Sequence, residues 1–192
     1  MTVTGAHRAD RTGEVERPTA SLAVSVPTAA AMRDLGRLLG AVLRAGDLVV
    51  LTGDLGAGKT TLTQGIGAAL DVLGDVTSPT FVIARVHPPL GDGPALVHVD
   101  AYRLESLAEV DDLDLDASLA DSVTIVEWGE GLVEGLASGR LEVRLNRPRG
   151  ALGGGPDDPA ADGDEAREVR LAGFGARWAG VRLPGAAAGP DS

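Results

Sequence analysis

Residues 49–62 read VVLTGDLGAGKTTL, an apolar run that breaks into glycines and resumes as a helix-compatible segment. Gly53, Gly58, Lys59 and Thr60 fill the pattern G-x-x-x-x-G-K-[ST], in which a strand feeds a phosphate-binding loop and then a helix. The context is right for that pattern: residues 48–51 are β-type, and residues 61–70 suit a helix. Gly53, Gly56 and Gly58 free the backbone to turn N–H groups inward onto phosphate oxygens. The helix that follows points its N-terminal partial positive charge at the same oxygens. Lys59 offers a point charge to the β- and γ-phosphates, and the Thr60 hydroxyl is a ligand for Mg²⁺. Lys59 is the only lysine among 17 basic residues. A chain that otherwise uses arginine has a compact ammonium where a planar fork would suit the cradle poorly.

A strand joined to such a loop implies an α/β fold, and the rest of the chain can be read in that frame. Residues 21–26 alternate and read as a short strand. Thr28 is placed to cap a helix whose apolar positions include Ala31, Leu35, Leu39, Val42 and Leu43, with Gly46 as its stop. After the loop and its helix, residues 81–86 and 95–99 read as strands joined across Pro88–Pro94 in an antiparallel hairpin. Residues 95–100 and 123–127 are apolar runs that each end in a carboxylate. Residues 140–145 alternate, and residues 169–174 read as a returning strand paired with them. The expected fold class is a single α/β domain of the P-loop NTPase type, a mixed sheet with a mostly parallel centre flanked by helices. The expected domain spans residues 21–183. Outside it lie a disordered leader at 1–20 and a disordered tail at 184–192. Within it, residues 148–167 form a flexible insertion rich in Gly, Asp and Pro.

Composition removes several classes of function. There is no cysteine, which excludes disulfides, thiolate metal sites and cysteine nucleophiles. No apolar run approaches the roughly 20 residues that span a bilayer, and residues 1–20 lack the apolar core of a signal peptide. A cytoplasmic location is expected. A net charge of −11 disfavours direct binding to a nucleic-acid backbone, DNA included.

Asp100 and Glu127 are the carboxylates at the two strand ends. Ligands in open α/β sheets collect outside the carboxyl ends of the strands, where a carboxylate holds Mg²⁺ or its waters. Two candidates thus stand for one role, which they either share or leave to one of them. Ser78-Pro79-Thr80 forms a stiff entry to the next strand, readable as a switch-like loop in which Ser78 or Thr80 senses the γ-phosphate, or as an ordinary loop. Trp128 follows Glu127 directly and can stack on a base, cover the site or pack at its rim. His98 lacks a neighbouring His or Cys to form a metal site and reads as a packing residue. Residues 102–122 interleave leucines with acidic side chains, as amphipathic helices or as an acidic docking surface.

The order GDLGAGKTT, SPTF, VHVDAYRL, IVEWGEGL resembles the TsaE family of bacterial tRNA threonylcarbamoyladenosine synthesis. The similarity covers about residues 21–145 and extends to 169–174. It implies a compact P-loop ATPase that supports modification of adenosine 37 in tRNAs reading ANN codons. The implied partners are the TsaD and TsaB proteins, with tRNA reached only through them, and the implied cofactors are ATP and Mg²⁺. Carried over by motif, Gly53, Asp54, Leu55, Gly56, Ala57, Gly58, Lys59, Thr60 and Thr61 hold the triphosphate. Thr60 and Glu127 are the implied metal ligands, and Lys59, Asp100 and Glu127 the implied catalytic groups, with Asp100 positioning water. Thr80 belongs to a switch loop, and Trp128 sits near the nucleotide. A small-molecule kinase and a non-hydrolysing assembly module remain as alternatives. The kinase lacks a basic lid stretch, and a slow intrinsic ATPase accelerated by its partners is the expected behaviour.

Overall fold

A computed structural model describes residues 16–79, 84–103, 118–147 and 166–185. Seven strands form one sheet: β1 (Ala20–Val26), β2 (Leu48–Gly53), β3 (Ala84–His87), β4 (Ala95–Asp100), β5 (Ser122–Glu127), β6 (Arg140–Asn146) and β7 (Arg167–Phe174). Two helices lie wholly within the described residues, α1 (Ala29–Gly40) and α2 (Lys59–Ala69). The strand order is β1-β7-β6-β2-β5-β4-β3. The four central strands, β6, β2, β5 and β4, run parallel. β3 adds antiparallel at one margin, and β7 followed by β1 at the other. This is the mixed α/β sheet the sequence implies. Both expected hairpins are present: 81–86 with 95–99 is found as 84–87 with 95–100, residues 81–83 lying outside the described ones, and 140–145 with 169–174 as 140–146 with 167–174.

Strand alternation sorts the core into two layers. Val49 and Leu51 of β2, Leu96 of β4, Val123 and Ile125 of β5 and Leu141 of β6 face α1 and α2. Leu48, Val50, Val97, Val99 and Val126 face the other way, where Val133 and its neighbours Leu132 and Leu136 cover them. α1 and α2 therefore pack on one face, and among the described residues a loop covers the other. β2 and β5 lie in the middle and are buried on both faces, so they read as continuous apolar runs rather than alternating ones.

Thr28 caps α1, its Oγ1 accepting the Ala31 N–H at 3.0 Å. The helix stops at Gly40, earlier than the expected stop at Gly46. Val42 and Leu43 lie in the turns beyond it, and Gly46 instead takes a left-handed φ of +88° in the approach to β2. The helix ends where its contact with α2 ends. A Cβ on Gly40 would stand 2.6 Å from the Ala69 Cβ, and one on Gly36 would stand 2.3 Å from the Leu62 carbonyl oxygen. Small residues on both helices thus let the backbones touch, and α1 braces the helix that begins at the phosphate-binding loop.

At the opposite end of β2, Arg177 grips Asp47 with Nε at 2.7 Å and a second nitrogen at 2.8 Å, and also reaches the Val42 carbonyl at 2.8 Å. Trp178 is fully buried against Gly173. β7 starts at Arg167, with Asn146 opposite Glu168, so the strand claims the last position of the expected insertion. Residues 1–15, 148–165 and 186–192, with most of the leader, insertion and tail, lie outside the described residues.

Candidate nucleotide site

The loop between β2 and α2 bends as its glycines permit. Gly53, Gly56 and Gly58 have φ of +150°, +75° and +106°, all in the region that side chains avoid. Gly58 directly precedes α2, so Lys59 and Thr60 occupy the helix's first turn. The helix begins two residues earlier than its apolar pattern indicates. A cavity of about 620 Å³ opens at this end of the sheet, within the range of small-ligand sites. Leu55, Gly56, Gly58, Lys59, Thr60 and Thr61 line one side. Asp100, Glu127 and Trp128 line the other, joined by Ser78 and Tyr102. Asp54 and Gly53 present carbonyls to the Lys59 ammonium at 3.2 and 2.8 Å, and Ala57 is buried beneath the loop. Thr80 lies outside the described residues. So do residues 104–117 and with them most of the acidic stretch.

Register places the carboxylates. Asp100 and Glu127 are direct partners across the parallel pair β4–β5, and both fall on the helix face. Glu127 is on the strand next to β2, opposite Leu51, while Asp100 is one strand further out. Thr60 Oγ1 accordingly donates to Glu127 Oε1 at 3.2 Å. Asp100 turns its Oδ1 to the Tyr102 N–H at 3.0 Å. Two hard oxygen donors, a hydroxyl and a carboxylate, converge at the first turn of α2. That set suits Mg²⁺, which takes one or two carboxylates together with phosphate oxygens and waters.

Trp128 has φ +63°, a left-handed conformation that costs a side chain-bearing residue about 1–2 kcal/mol. Its N–H still bonds to the Leu51 carbonyl at 3.0 Å, so the reversal occurs just where β5 leaves the sheet. The turn carries the indole over Lys59, whose Nζ is 4.0 Å from the ring centroid. Tyr102 meets the same indole edge-on at 5.4 Å. The ring therefore stands at the lysine end of the cavity. Burial pushes the Lys59 ammonium below its usual range, against the opposing pull of Glu127, Asp100 and Asp54. Arg85, a basic residue on the strand before Asp100, donates to Thr77 at 2.7 Å and is not part of the cavity wall.

His98 packs in the sheet as read, and it also makes a contact the sequence did not indicate. It is fully buried, and its Nε2 lies 2.9 Å from Glu127 Oε1. The missed signal is its spacing: His98 precedes Asp100 by two residues on a strand, so both point to the same face.

A profile of the family described as "Threonylcarbamoyl adenosine biosynthesis protein TsaE" matches residues 26–151. The chain belongs to the TsaE family. It is similar to the tRNA threonylcarbamoyladenosine biosynthesis protein TsaE of Streptomyces coelicolor, with 62% identity over 77% of this chain and 94% of the relative. The Bacillus subtilis TsaE protein is 35% identical over 75% of this chain and 80% of the relative. Among solved structures, the crystal structure of B. subtilis YdiB matches with a TM-score of 0.59 and 28% identity, covering 83% of this chain and 89% of that one. TsaE membership places the chain in threonylcarbamoyladenosine biosynthesis in tRNA. No described helix is long and apolar enough to cross a membrane.

Proposed function

We propose that this TsaE protein is a Mg²⁺-dependent ATPase that drives threonylcarbamoylation of adenosine 37 in tRNAs reading ANN codons, acting with the TsaD–TsaB pair. The observation that carries the reading is the convergence of Lys59, Thr60, Asp100 and Glu127 on one cavity at the carboxyl ends of the parallel strands. That wall holds two carboxylates against one ammonium. A triphosphate meets net repulsion there unless a divalent cation enters with it.

The loop amides between Gly53 and Gly58 and the first turn of α2 hold the phosphates. Lys59 exchanges its two carbonyl acceptors for β- and γ-phosphate oxygens, which restore the preference for the charged ammonium that burial weakens. Thr60 and Glu127 would hold Mg²⁺, which when bound neutralises charge on the phosphate oxygens. Asp100, one strand away, accepts a hydrogen bond from the attacking water and turns a lone pair toward the γ-phosphorus. Trp128 and Tyr102 exclude other water from the lysine end. No arginine lines the cavity among the described residues, and a cation supplied to the γ-phosphate typically contributes ~10³–10⁵ in rate. Slow turnover that partners accelerate is the behaviour this reading expects.

The test is phosphate release from Mg·ATP under single-turnover conditions, with the protein alone and with TsaD and TsaB added. Slow release that rises in the complex is expected. Full-speed turnover by the isolated chain with no response to the partners, or no release in either case, overturns the reading.

A further inference from the structure

We propose that His98 is a positioning residue that fixes the Glu127 carboxylate for the metal, an inference that rests on the reading of Glu127 as a Mg²⁺ ligand. The position is built for an apolar side chain. His98 sits on β4 between Leu96 and Asp100 and opposite Ile125; Leu96, Ile125 and His98 itself are all fully buried. A polar ring there costs free energy unless a hydrogen bond offsets its desolvation. The bond it makes reaches diagonally from opposite Ile125 to Glu127, two residues along β5. A carboxylate only accepts, so the Nε2 that meets it at 2.9 Å carries the proton.

The remaining nitrogen sharpens the point. Nδ1 is buried and finds no hydrogen-bond partner among the described residues. Among the described residues the ring makes one hydrogen bond, and it goes to a carboxylate oxygen at the site. Glu127 Oε1 thereby receives two donors, His98 and Thr60, at 2.9 and 3.2 Å. Two donors on one oxygen fix the rotation of the carboxylate beside the first turn of α2, where Thr60 stands. Partners of this kind behind a ligating group typically change metal affinity by roughly 10- to 100-fold.

The experiment is equilibrium binding of ATP by calorimetry, in EDTA and across a Mg²⁺ titration. His98→Leu, which fills the apolar position, should keep ATP affinity in EDTA within about twofold and raise the half-saturating Mg²⁺ concentration roughly 10- to 100-fold. His98→Asn is too short to reach Glu127; it should give the same rise, and it serves if leucine disturbs the packing. His98→Gln, whose amide can approach the place of Nε2, should recover most of the wild-type Mg²⁺ response. The double variant His98→Leu/Glu127→Gln should need no more Mg²⁺ than Glu127→Gln alone, because the histidine acts through that carboxylate. An unchanged Mg²⁺ requirement in folded His98→Leu or His98→Asn overturns the inference and leaves the ATPase reading standing. An equal loss of affinity in EDTA and in Mg²⁺ assigns His98 to the fold and also overturns it. A wild-type protein whose ATP affinity ignores Mg²⁺ overturns both.

Discussion

Gly65 lies near the middle of α2, where replacing glycine by alanine sets two effects against each other. Intrinsic helix propensity favours the change by about 0.8–1 kcal/mol. Packing opposes it. A Cβ on Gly65 would stand 2.1 Å from the Arg33 carbonyl oxygen and 2.9 Å from the Gly36 Cα, both on α1. The first distance falls more than an ångström short of ordinary contact, and the obstacle is backbone, which cannot rotate away. Overpacking of this kind costs about 1–3 kcal/mol, and a backbone obstacle puts the cost at the upper end. Subtracting the propensity gain leaves Gly65→Ala less stable by about 2 kcal/mol. For a domain of this size that lowers Tm by roughly 4–8 °C. ATP affinity should fall as well, because the helix that must move carries Lys59 and Thr60 in its first turn, with Thr60 3.2 Å from Glu127 on β5. Thermal and urea unfolding give the stability, and calorimetry well below the transition gives the affinity. A Gly65→Ala protein that melts at or above the wild type would refute the argument, since propensity alone would then decide the site.

Lys59→Met should abolish productive ATP binding, and its stability relative to wild type should depend on pH. Burial lowers the lysine pKa in the free fold, so the unfolded chain binds the extra proton and wild-type stability rises as pH climbs through the lowered value toward the ordinary 10.5. The wild type should therefore gain on Lys59→Met between neutral pH and pH 10.5 in parallel melts; a gap that does not move, or moves the other way, counts against a desolvated ammonium. Glu127→Gln should weaken ATP binding in Mg²⁺ far more than in EDTA, whereas Asp100→Asn should lower turnover more than affinity; wild-type turnover in both would remove both carboxylates from the mechanism. Deleting residues 150–165 should leave ATP affinity and turnover nearly unchanged, because Asn146 and Glu168 are already paired across the hairpin and a shorter loop closes at slightly lower entropic cost. A large loss in a still-folded deletion would show that the segment contributes to the site.

The sequence alone determined what is local. Three glycines, one lysine and one threonine in fixed spacing defined the phosphate loop, and their φ values follow from the absence of a Cβ. Alternation and turn residues were enough for the two hairpins, because pairing between adjacent segments needs little beyond period and a reversal. The end of α1 was not legible: Val42 and Leu43 continue the apolar pattern, but the helix stops where Gly40 leaves the backbone of α2, a contact between segments more than 20 residues apart. The two carboxylates were equivalent in sequence, each closing an apolar run. Only the strand order separated them, by setting β5 and not β4 beside β2, so that Glu127 meets Thr60 and Asp100 stands one strand off. His98 shows the same division. Its place on the strand was visible, but a buried polar side chain takes its meaning from its partner, and that partner is 29 residues away on the neighbouring strand. Period and glycine are written into consecutive residues. Order across a sheet is decided by which apolar faces can be buried together, and that is a property of the whole chain.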